Sequence, residues 1–351
     1  MRVQVVDPSA YTPPYDRALC AALARAGADV ELVTSRFAYG GVPAADGYRV
    51  NELFYRRAGR LAAGDRGRFA AKLVEHVPDM LRFRRHARDA DVVHWQWLTV
   101  QPVDAFLLPS GRPRVLTAHD ILPREPLPGQ MRATRRLLKT MDAVVVHSGD
   151  GAARLRAEVG IDAERIHVIP HGAFDYLTRL PDERPLPPEL ASVEGPVVLF
   201  FGLLRAYKGV EVLIEAFHDI DGAELWVVGM PRMPLEPLRE LADEVRGRVR
   251  FVPRFVDDAE IPAFFRRADI VALPYREIDQ SGVLYTALAF GKPIVLSAVG
   301  GFADIAEQGA ARAVRANAPV ELAAAIHELL DDDAERARMR QLLQRPTAAP
   351  R

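Results

Sequence analysis

The sequence has little of the chemistry that stabilises exported or membrane-spanning proteins. It contains one cysteine, Cys20, in 351 residues, so neither an internal disulfide nor a cysteine zinc cage can form. No apolar run approaches the roughly 18 residues of a transmembrane helix. The first residues, MRVQVVDPS, lack the charged and apolar regions of a signal peptide. These absences predict a cytoplasmic protein.

An excess of charge of one sign is also lacking. The chain has 47 acidic and 46 basic residues, which gives a formal net charge of −1. That balance argues against a nucleic-acid partner. Lysine is rare, because arginine supplies all the basic residues except Lys72, Lys139, Lys208 and Lys292. Two explanations fit equally well: the four lysines are retained where a compact ammonium group suits the site, or coding bias has left them by chance.

Several enzyme motifs are absent. Residues 7–15 read DPSAYTPPY, with three prolines and no glycine, so the GxGxxG turn of dinucleotide dehydrogenases is missing after the first predicted strand. Neither a Walker A sequence nor the GxSxG elbow of α/β-hydrolases occurs. The HExxH motif of zincins does not occur, so we expect no metal site.

The chain does show a repeated alternation of short apolar runs with stretches of helical period, which is typical of a parallel sheet covered by helices. The alternation stops in a proline-rich passage and then restarts, which predicts an α/β protein with two doubly wound, Rossmann-like domains. We assign residues 1–172 to an N-terminal domain, 173–196 to a linker and 197–351 to a C-terminal domain. The predicted strands are Val3–Val6, Asp29–Thr34, Asp91–His94, Val115–Ala118, Ala143–His147, Ile166–Ile169, Val197–Phe201, Glu224–Val228, Val249–Val252, Ile270–Leu273 and Ile294–Leu296.

Ligands of such sheets bind beyond the carboxyl ends of the strands, and residues 274–301 are the most informative of these positions. Ser281 is a favourable N-cap, and Gly282 leaves the first helical turn bare of a side chain. Unpaired N–H groups and the positive end of the helix dipole at such a start suit a diphosphate. The alternative is an ordinary helix start that binds only water.

Another predicted strand end carries two cations. The segment FFGLLRAYKG places Gly202 at the end of a strand and Arg205 and Lys208 in the loop that follows. Two cations three residues apart can converge on one phosphate group. A solvated surface turn is the competing interpretation.

Histidines follow or end several strands of the first half. His119 lies in the loop TAHD, where it can donate to a sugar hydroxyl or a phosphate, or move a proton near neutral pH. A buried structural histidine is the alternative, and His94, His147 and His171 occupy comparable positions.

Residues 54–88 carry ten Arg or Lys against three acidic residues, interleaved with apolar side chains. Such a stretch can rest on an anionic membrane surface at the inner face of the membrane. It can equally form solvated helices with an apolar side toward the core, or frame an acceptor pocket. In the tract HWQWL, Trp95 and Trp97 offer flat surfaces to a sugar or lipid, unless they belong to the core.

Motifs in four regions occur in a recognisable order. They are His-Asp at 119–120, IPHG before the linker, FFGLLRAYKGVEVLIEAF, and ADIVALPY with QSGV and ALAFGKPIVLSAVGG. This order resembles the retaining GT-B glycosyltransferases of family 4. The resemblance covers most of residues 1–330 and is most specific from 197 to 305. It implies a GT-B fold in which two Rossmann-like domains face each other across a cleft, with the acceptor on the first and a nucleotide-activated sugar on the second.

The resemblance also implies residue roles. Arg205 and Lys208 match the basic pair on the donor diphosphate, and His119 matches the histidine near the hydroxyls of the donor sugar. The amides at 281–283 match those that cap the distal phosphate. The residues expected at the donor are Gly202, Asp279, Ser281, Gly282, Val283 and Thr286, and those expected at the acceptor are Tyr11, Tyr15, Trp95 and Trp97.

The chain departs from the family pattern at two places. The family commonly has two glutamates with seven residues between them, and their positions here are Ile278 and Thr286. The ribose carboxylate is therefore missing, and the first acid could come only from Glu277 or Asp279. The tail is also short, so the helix that crosses back onto the N-terminal domain in relatives is expected to be absent or abbreviated.

The resemblance implies transfer of a glycosyl group from a nucleoside diphosphate sugar to an acceptor hydroxyl, with retained configuration. The donor is a co-substrate, and neither a further cofactor nor a metal is expected. The acceptor is a small molecule, a lipid or a glycan. Alternatives are a degenerate, inactive partner subunit, a sugar-nucleotide epimerase or sugar phosphorylase, and a two-lobed binding module of periplasmic type.

Overall fold

A computed structural model describes residues 1–61, 66–124, 126–245, 248–307 and 309–344 of the chain. The chain divides into two compact units, one spanning Met1–Pro170 and the other beginning at His171.

The first unit is built on seven parallel strands in the order β3-β2-β1-β4-β5-β6-β7. The strands are β1 (Arg2–Asp7), β2 (Asp29–Ser35), β3 (Arg49–Phe54), β4 (Val92–Trp95), β5 (Arg114–Thr117), β6 (Ala143–Val146) and β7 (Ile166–Val168). The helices are α1 (Pro13–Arg25), α2 (Arg66–His86), α3 (Gln101–Leu107), α4 (Gln130–Lys139) and α5 (Gly149–Arg154). The strand order reverses between β1 and β4, and ligands of doubly wound sheets bind at such a switch point.

The second unit has six parallel strands in the order β10-β9-β8-β11-β12-β13. They are β8 (Val197–Phe201), β9 (Glu224–Val228), β10 (Arg248–Val252), β11 (Ile270–Leu273), β12 (Ile294–Ser297) and β13 (Arg312–Val314). The helices are α6 (Pro188–Ala191), α7 (Val210–Ala216), α8 (Glu236–Glu244), α9 (Ile261–Arg267), α10 (Gly282–Ala289), α11 (Phe302–Glu307), α12 (Pro319–Asp331) and α13 (Asp333–Gln344). Its switch point lies between β8 and β11.

This architecture confirms the predicted pair of doubly wound α/β sheets. All eleven predicted strands occur within a residue or two of their expected ends, and most of them are buried apolar runs. The prediction missed β3 and β13, two strands at the edges of the sheets. Most residues of both are exposed or half-buried, so their sequences do not read as apolar runs.

The passage 173–196 lies within the second unit and makes several hydrogen bonds to the rest of it. The Arg184 N–H donates to the Ala259 carbonyl at 2.7 Å, and the Tyr176 hydroxyl donates to Asp258 Oδ2 at 2.8 Å. Residues 345–351, on which the expectation of a short tail rests, lie outside the described residues. Among the helices that the structure describes, none combines the length and the apolar character needed to cross a membrane.

Candidate functional site

The loop after β8 and the start of α10 meet at Gly202. This residue has a φ of +110°, and a Cβ added to it would lie 3.1 Å from the Nζ of Lys208 and 3.1 Å from the Cγ2 of Val283. The ammonium of the loop and the first turn of the helix therefore border the same point at the switch of the second sheet. The structure thus brings together three residues that the sequence nominated separately.

Backbone packs against backbone around this point. A Cβ on Gly229, which follows β9 with a φ of +144°, would lie 1.9 Å from the Gly202 carbonyl oxygen. A Cβ on Gly209 would lie 2.2 Å from the carbonyl oxygen of Pro274, which follows β11. Because no side chain fits at either position, the loops after three neighbouring strands are held in close contact.

Lys208 is a buried cation in this loop. The residue is only 8% exposed, and its Nζ lies 4.9 Å from the centre of the Tyr275 ring, within cation–π distance. The Tyr275 hydroxyl lies 3.4 Å from the Oγ of Ser281. Burial raises the pKa of Tyr275, so the ring carries a neutral phenol at physiological pH. Tyr275 therefore connects the cation to the start of α10.

The two arginines near this loop have different surroundings. Arg276 pairs with Glu211 at 2.5 Å, and it donates to Asn317 Oδ1 at 2.7 Å and to the Ala206 carbonyl at 3.0 Å. Arg205 is half-buried, and within the described ranges its guanidinium makes no hydrogen bond or ion pair. Arg276, which the sequence did not single out, therefore fixes the loop, whereas Arg205 has no such partner among the described residues.

The first turn of α10 has backbone donors that its N-cap side chain does not cap. Ser281 occupies the N-cap with extended backbone angles, but its hydroxyl makes no capping hydrogen bond. The ring of Phe174 approaches Gly282 closely, since a Cβ there would lie 3.3 Å from Cε2. The amides of Gly282 and Val283, at the positive end of the helix dipole, thus suit an anion.

The acidic candidates and Thr286 occupy different settings. Asp279 is buried in the loop before α10, whereas Glu277 is exposed. Thr286 is buried, and its hydroxyl donates to the Gly282 carbonyl at 2.9 Å. That donor is therefore committed to the helix, and no carboxylate stands at this helical position.

His119 follows β5 in the first unit and lies among three other candidates. Its Nε2 is 3.0 Å from the Oε1 of Gln96. Its ring stacks on Trp97 with centroids 5.1 Å apart, and the Tyr15 ring meets it edge-on at 4.7 Å. Tyr11 is 57% exposed and packs against the edge of Trp97 at 5.6 Å. Four of the predicted residues thus form one aromatic group at the end of the sheet.

Trp95 is not part of this group, and the prediction that it meets an acceptor is wrong. The side chain is fully buried in the core and packs on Phe83 with ring centroids 5.2 Å apart. Trp95 is the last residue of β4 and still belongs to the sheet. Its side chain therefore points to one face of the sheet, as the side chains of a strand do in alternation. Trp97, two residues later, lies in the loop and is half-buried.

The loop after β1 closes around its own carboxylate. Asp7 accepts hydrogen bonds from the backbone N–H groups of Ser9, Tyr11 and Thr12, at 3.2, 2.6 and 3.1 Å. Asp16 is also buried and hydrogen-bonds to Asp7. Burial raises the pKa of Asp7, and burial together with the charge of Asp7 raises the pKa of Asp16 well above its ordinary value. The pair therefore holds a proton to a higher pH than isolated carboxyl groups do.

Two more histidines of the first unit, His94 and His147, have structural hydrogen bonds. His94 Nε2 lies 2.8 Å from Thr117 Oγ1, and burial lowers the pKa of His94 to about 4. His147 Nδ1 donates to the Ile169 carbonyl at 2.8 Å, and burial lowers its pKa as well. Across the residues that the structure describes, no group of three or more His, Cys, Asp or Glu side chains is gathered as a metal ion requires.

Family models match both halves of the chain. Residues 17–173 match the model for Glycosyltransferase Family 4, and residues 195–332 match the model for glycosyl transferases group 1.

Curated relatives are similar over much of the sequence. The chain is 28% identical to a D-inositol 3-phosphate glycosyltransferase of Xylanimonas cellulosilytica, over 92% of this chain and 83% of that protein. It is 26% identical to a GDP-mannose:glycolipid 4-beta-D-mannosyltransferase of Xanthomonas campestris pv. campestris, over 65% of this chain and 68% of that protein.

Solved structures share the fold. A sucrose-phosphate synthase from Thermosynechococcus elongatus superposes with a TM-score of 0.75 at 21% identity, over 98% of this chain and 94% of that one. Anabaena HepE in complex with UDP-glucose gives a TM-score of 0.73 at 21% identity, over 98% and 93% of the two chains. Together with the two parallel sheets and the matches to both halves, these likenesses show that the chain belongs to the GT-B glycosyltransferases of family 4.

Proposed function

We propose that this glycosyltransferase moves a sugar from a nucleoside diphosphate sugar to an acceptor hydroxyl with retention of anomeric configuration. The observation that carries the proposal is the convergence at Gly202 of the Lys208 ammonium and the first turn of α10. A bare glycine backbone, a buried cation and uncapped helix amides are what a diphosphate needs in order to approach closely.

The main contribution of the second unit is electrostatic. When the bond between the sugar and the diphosphate breaks, negative charge grows on the leaving phosphate. We assign the stabilisation of that charge to Arg205, Lys208 and the amides of residues 281–283, acting without reorganisation in the transition state. These protein cations take the part that a magnesium ion plays elsewhere, and the reaction proceeds without a metal or a further cofactor.

Retention follows if the leaving phosphate also acts as the base. The acceptor oxygen attacks the anomeric carbon from the face that the diphosphate leaves, and its proton passes to a phosphate oxygen on that face. One carbon–oxygen bond breaks, one forms, and no side-chain nucleophile is required. This route agrees with the absence of a carboxylate at Thr286 and with the exposed position of Glu277.

The names of similar proteins support the substrate classes. The relatives act by name on inositol phosphate or glycolipid acceptors, and one solved neighbour holds UDP-glucose. In the first unit we assign the acceptor to the surface formed by His119, Trp97, Tyr15 and Tyr11.

The donor site can be tested by calorimetry with UDP, GDP and ADP, followed by turnover of UDP-glucose and GDP-mannose. We expect one nucleotide to bind, and Lys208→Met and Arg205→Ala each to lower donor turnover about a hundredfold, as is usual when one preorganised donor is removed. Lys139→Met removes an exposed lysine of the first unit and serves as the control. Nucleotide binding that is unchanged by both substitutions would contradict the assignment of the donor site to Arg205 and Lys208.

Turnover distinguishes the enzyme from an inactive relative. The anomeric coupling constant of the product, measured by proton NMR, reports retention or inversion, and turnover in excess EDTA tests independence from metal. Nucleotide binding without turnover of either donor, with any acceptor supplied, would favour a non-catalytic partner subunit.

We also propose that α2 rests on an anionic lipid surface at the inner face of the membrane. Its solvent side is apolar, and the exposures of these side chains range from 40% to 76%: Phe69, Leu73, Val74, Val77 and Leu81. Arg84, Arg85 and Arg88 are exposed near its C-terminal end. A helix with this composition lies at a headgroup boundary with its apolar side inserted.

Co-sedimentation with vesicles tests this contact. We expect binding to vesicles that contain phosphatidylglycerol and weaker binding to phosphatidylcholine alone. Phe69→Ser combined with Val74→Ser should weaken binding about tenfold or more, because two apolar side chains that insert into the lipid are lost. The control is Val320→Ser, which changes a valine that is 71% exposed on α12. Equal binding to both kinds of vesicle would contradict an electrostatic attraction between the arginines and anionic lipid.

A further inference from the structure

The first unit contains a cavity of about 130 Å³ next to His119 and Trp97. Leu116 of β5 and Leu137 and Leu138 of α4 form apolar parts of its wall, and Gln96 after β4 and Thr134 of α4 form polar parts. The cavity therefore lies between the switch region of the sheet and the helix that covers β5. None of the sequence motifs accounts for it.

Gln96 carries an unsatisfied donor in this wall. The residue is 1% exposed, and its Oε1 lies 3.0 Å from His119 Nε2. Its Nε2 is buried and has no hydrogen-bond partner among the residues that the structure describes. A buried N–H without a partner costs free energy in the unbound protein, so a ligand oxygen placed in the cavity would recover it.

Two hydroxyls of the wall are already hydrogen-bonded. Thr134 hydrogen-bonds to Gln101 and to the Gln130 carbonyl. Thr117 hydrogen-bonds to His94 at 2.8 Å. A ligand with many hydroxyl groups would lose part of its hydration here without replacement, whereas a ligand with one oxygen can pair with the buried donor of Gln96.

The wall also lacks a cation for a charged ligand. Among the described residues that line the cavity there is no lysine or arginine, and the single acid, Asp120, pairs with Arg124 at 2.8 Å. An engineered protein cavity of about 150 Å³ holds a benzene molecule, so this volume matches one six-membered ring.

From these observations we propose that the cavity binds an uncharged, largely apolar six-membered ring that carries one oxygen, the ring of an alcohol or a phenol. The oxygen accepts a hydrogen bond from Gln96 Nε2, and the ring packs on the three leucines. That this ring is the reacting end of the acceptor, beside His119, rests on the proposed function. Gln96 then determines acceptor specificity, because it selects an oxygen at the wall.

A titration of the full chain with phenol, followed through carbon-13-labelled leucine methyl groups, tests the site. We expect saturable shifts of the methyl groups that line the cavity, at millimolar phenol. Gln96→Leu should weaken binding about tenfold, the usual effect of losing one buried hydrogen bond. Leu138→Phe, which fills the cavity, should abolish it.

The matched control is Gln4→Leu. Gln4 is a buried glutamine on β1 that does not line the cavity, so its variant should bind phenol like the wild type. Nucleotide binding by each variant, measured in the same samples, reports that the protein is folded and that the donor site is intact. If Leu138→Phe does not fold, the Gln96→Leu result decides.

Three results would overturn the inference: no shifts with phenol, unchanged affinity in Gln96→Leu, or binding of benzoate or myo-inositol at least as tight as that of phenol. The first of these with intact nucleotide binding would refute the cavity site alone. Phenol binding in a protein that binds no nucleotide would instead refute the proposed transferase and leave the cavity site standing.

Discussion

The two sheets have the same kind of switch point, but they treat their backbone N–H groups differently. In the first unit, the loop after β1 gives the N–H groups of Ser9, Tyr11 and Thr12 to the buried Asp7 carboxylate. In the second unit, the Ser281 side chain at the N-cap makes no hydrogen bond to the N–H groups at the start of α10. The first end supplies its own anion, and at the second we propose that the donors bind the diphosphate of the sugar donor.

The ends also differ in what fills them. Rings occupy the first, where Tyr15 and Trp97 pack around His119. Backbone occupies the second, where Gly202 and Gly229 exclude any side chain. A side-chain surface can discriminate among acceptors, whereas a backbone cradle can recognise the one group that all nucleotide sugars share. The common topology therefore gives two binding surfaces of different chemistry.

The glycine packing gives the largest expected effect. Gly229→Ala places a Cβ within 1.9 Å of the Gly202 carbonyl oxygen, at a φ of +144°. Neither backbone can move without disturbing β8 and β9, so we expect the second unit to lose about 3 kcal/mol or more of stability. Urea unfolding checks this loss, and nucleotide binding should fall with it.

Gly222→Ala separates the close approach from backbone strain alone. Gly222 has a φ of +74°, but a Cβ there would meet nothing within 4 Å. The stability of the Gly222→Ala variant should fall by only about 1 kcal/mol, the cost of the left-handed conformation for a residue with a Cβ. Equal losses in the two variants would show that the contact with Gly202 contributes nothing.

The sequence predicts best where a pattern has a single physical cause. A short apolar run within this alternation favours a strand, so the central strands and the edge strands β7 and β10 could be predicted. The edge strands β3 and β13 could not, because RVNELF and RAV contain no such run. Arg205 and Lys208 could be nominated from a strand end, but their different environments could not. Lys208 is buried against Tyr275, and which arginine is engaged depends on Glu211 and Asn317, far away in the chain.

The tryptophans show the same limit. Trp95 and Trp97 lie two residues apart in a short aromatic tract. Trp95 enters the core because β4 ends at that residue, and Trp97 lies in the loop that follows. The unpaired side-chain amide of Gln96 likewise cannot be predicted from the sequence, because it depends on β5 and α4 providing no hydrogen-bond acceptor for it.

The Asp7–Asp16 pair gives a smaller effect, which depends on pH. The folded protein keeps on this pair a proton that the unfolded chain releases above about pH 4. Folding then takes up a proton, so this pair's contribution to stability is present at low pH and is lost as the pH rises through the raised pKa. Asp16→Asn replaces the protonated acid with a neutral amide that also donates to Asp7. We expect higher stability than the wild type at pH 8 and a difference that vanishes toward pH 4.

Melting temperatures of both proteins from pH 4 to pH 8 measure this difference. Asp7→Asn is the informative control, because it weakens the acceptor of three backbone N–H groups and should destabilise the loop at every pH. A constant difference between Asp16→Asn and the wild type would mean that the pair holds no extra proton. Asp7 would then be a full internal anion, and the first sheet end would differ from the second in the sign of its charge as well as in the state of its amides.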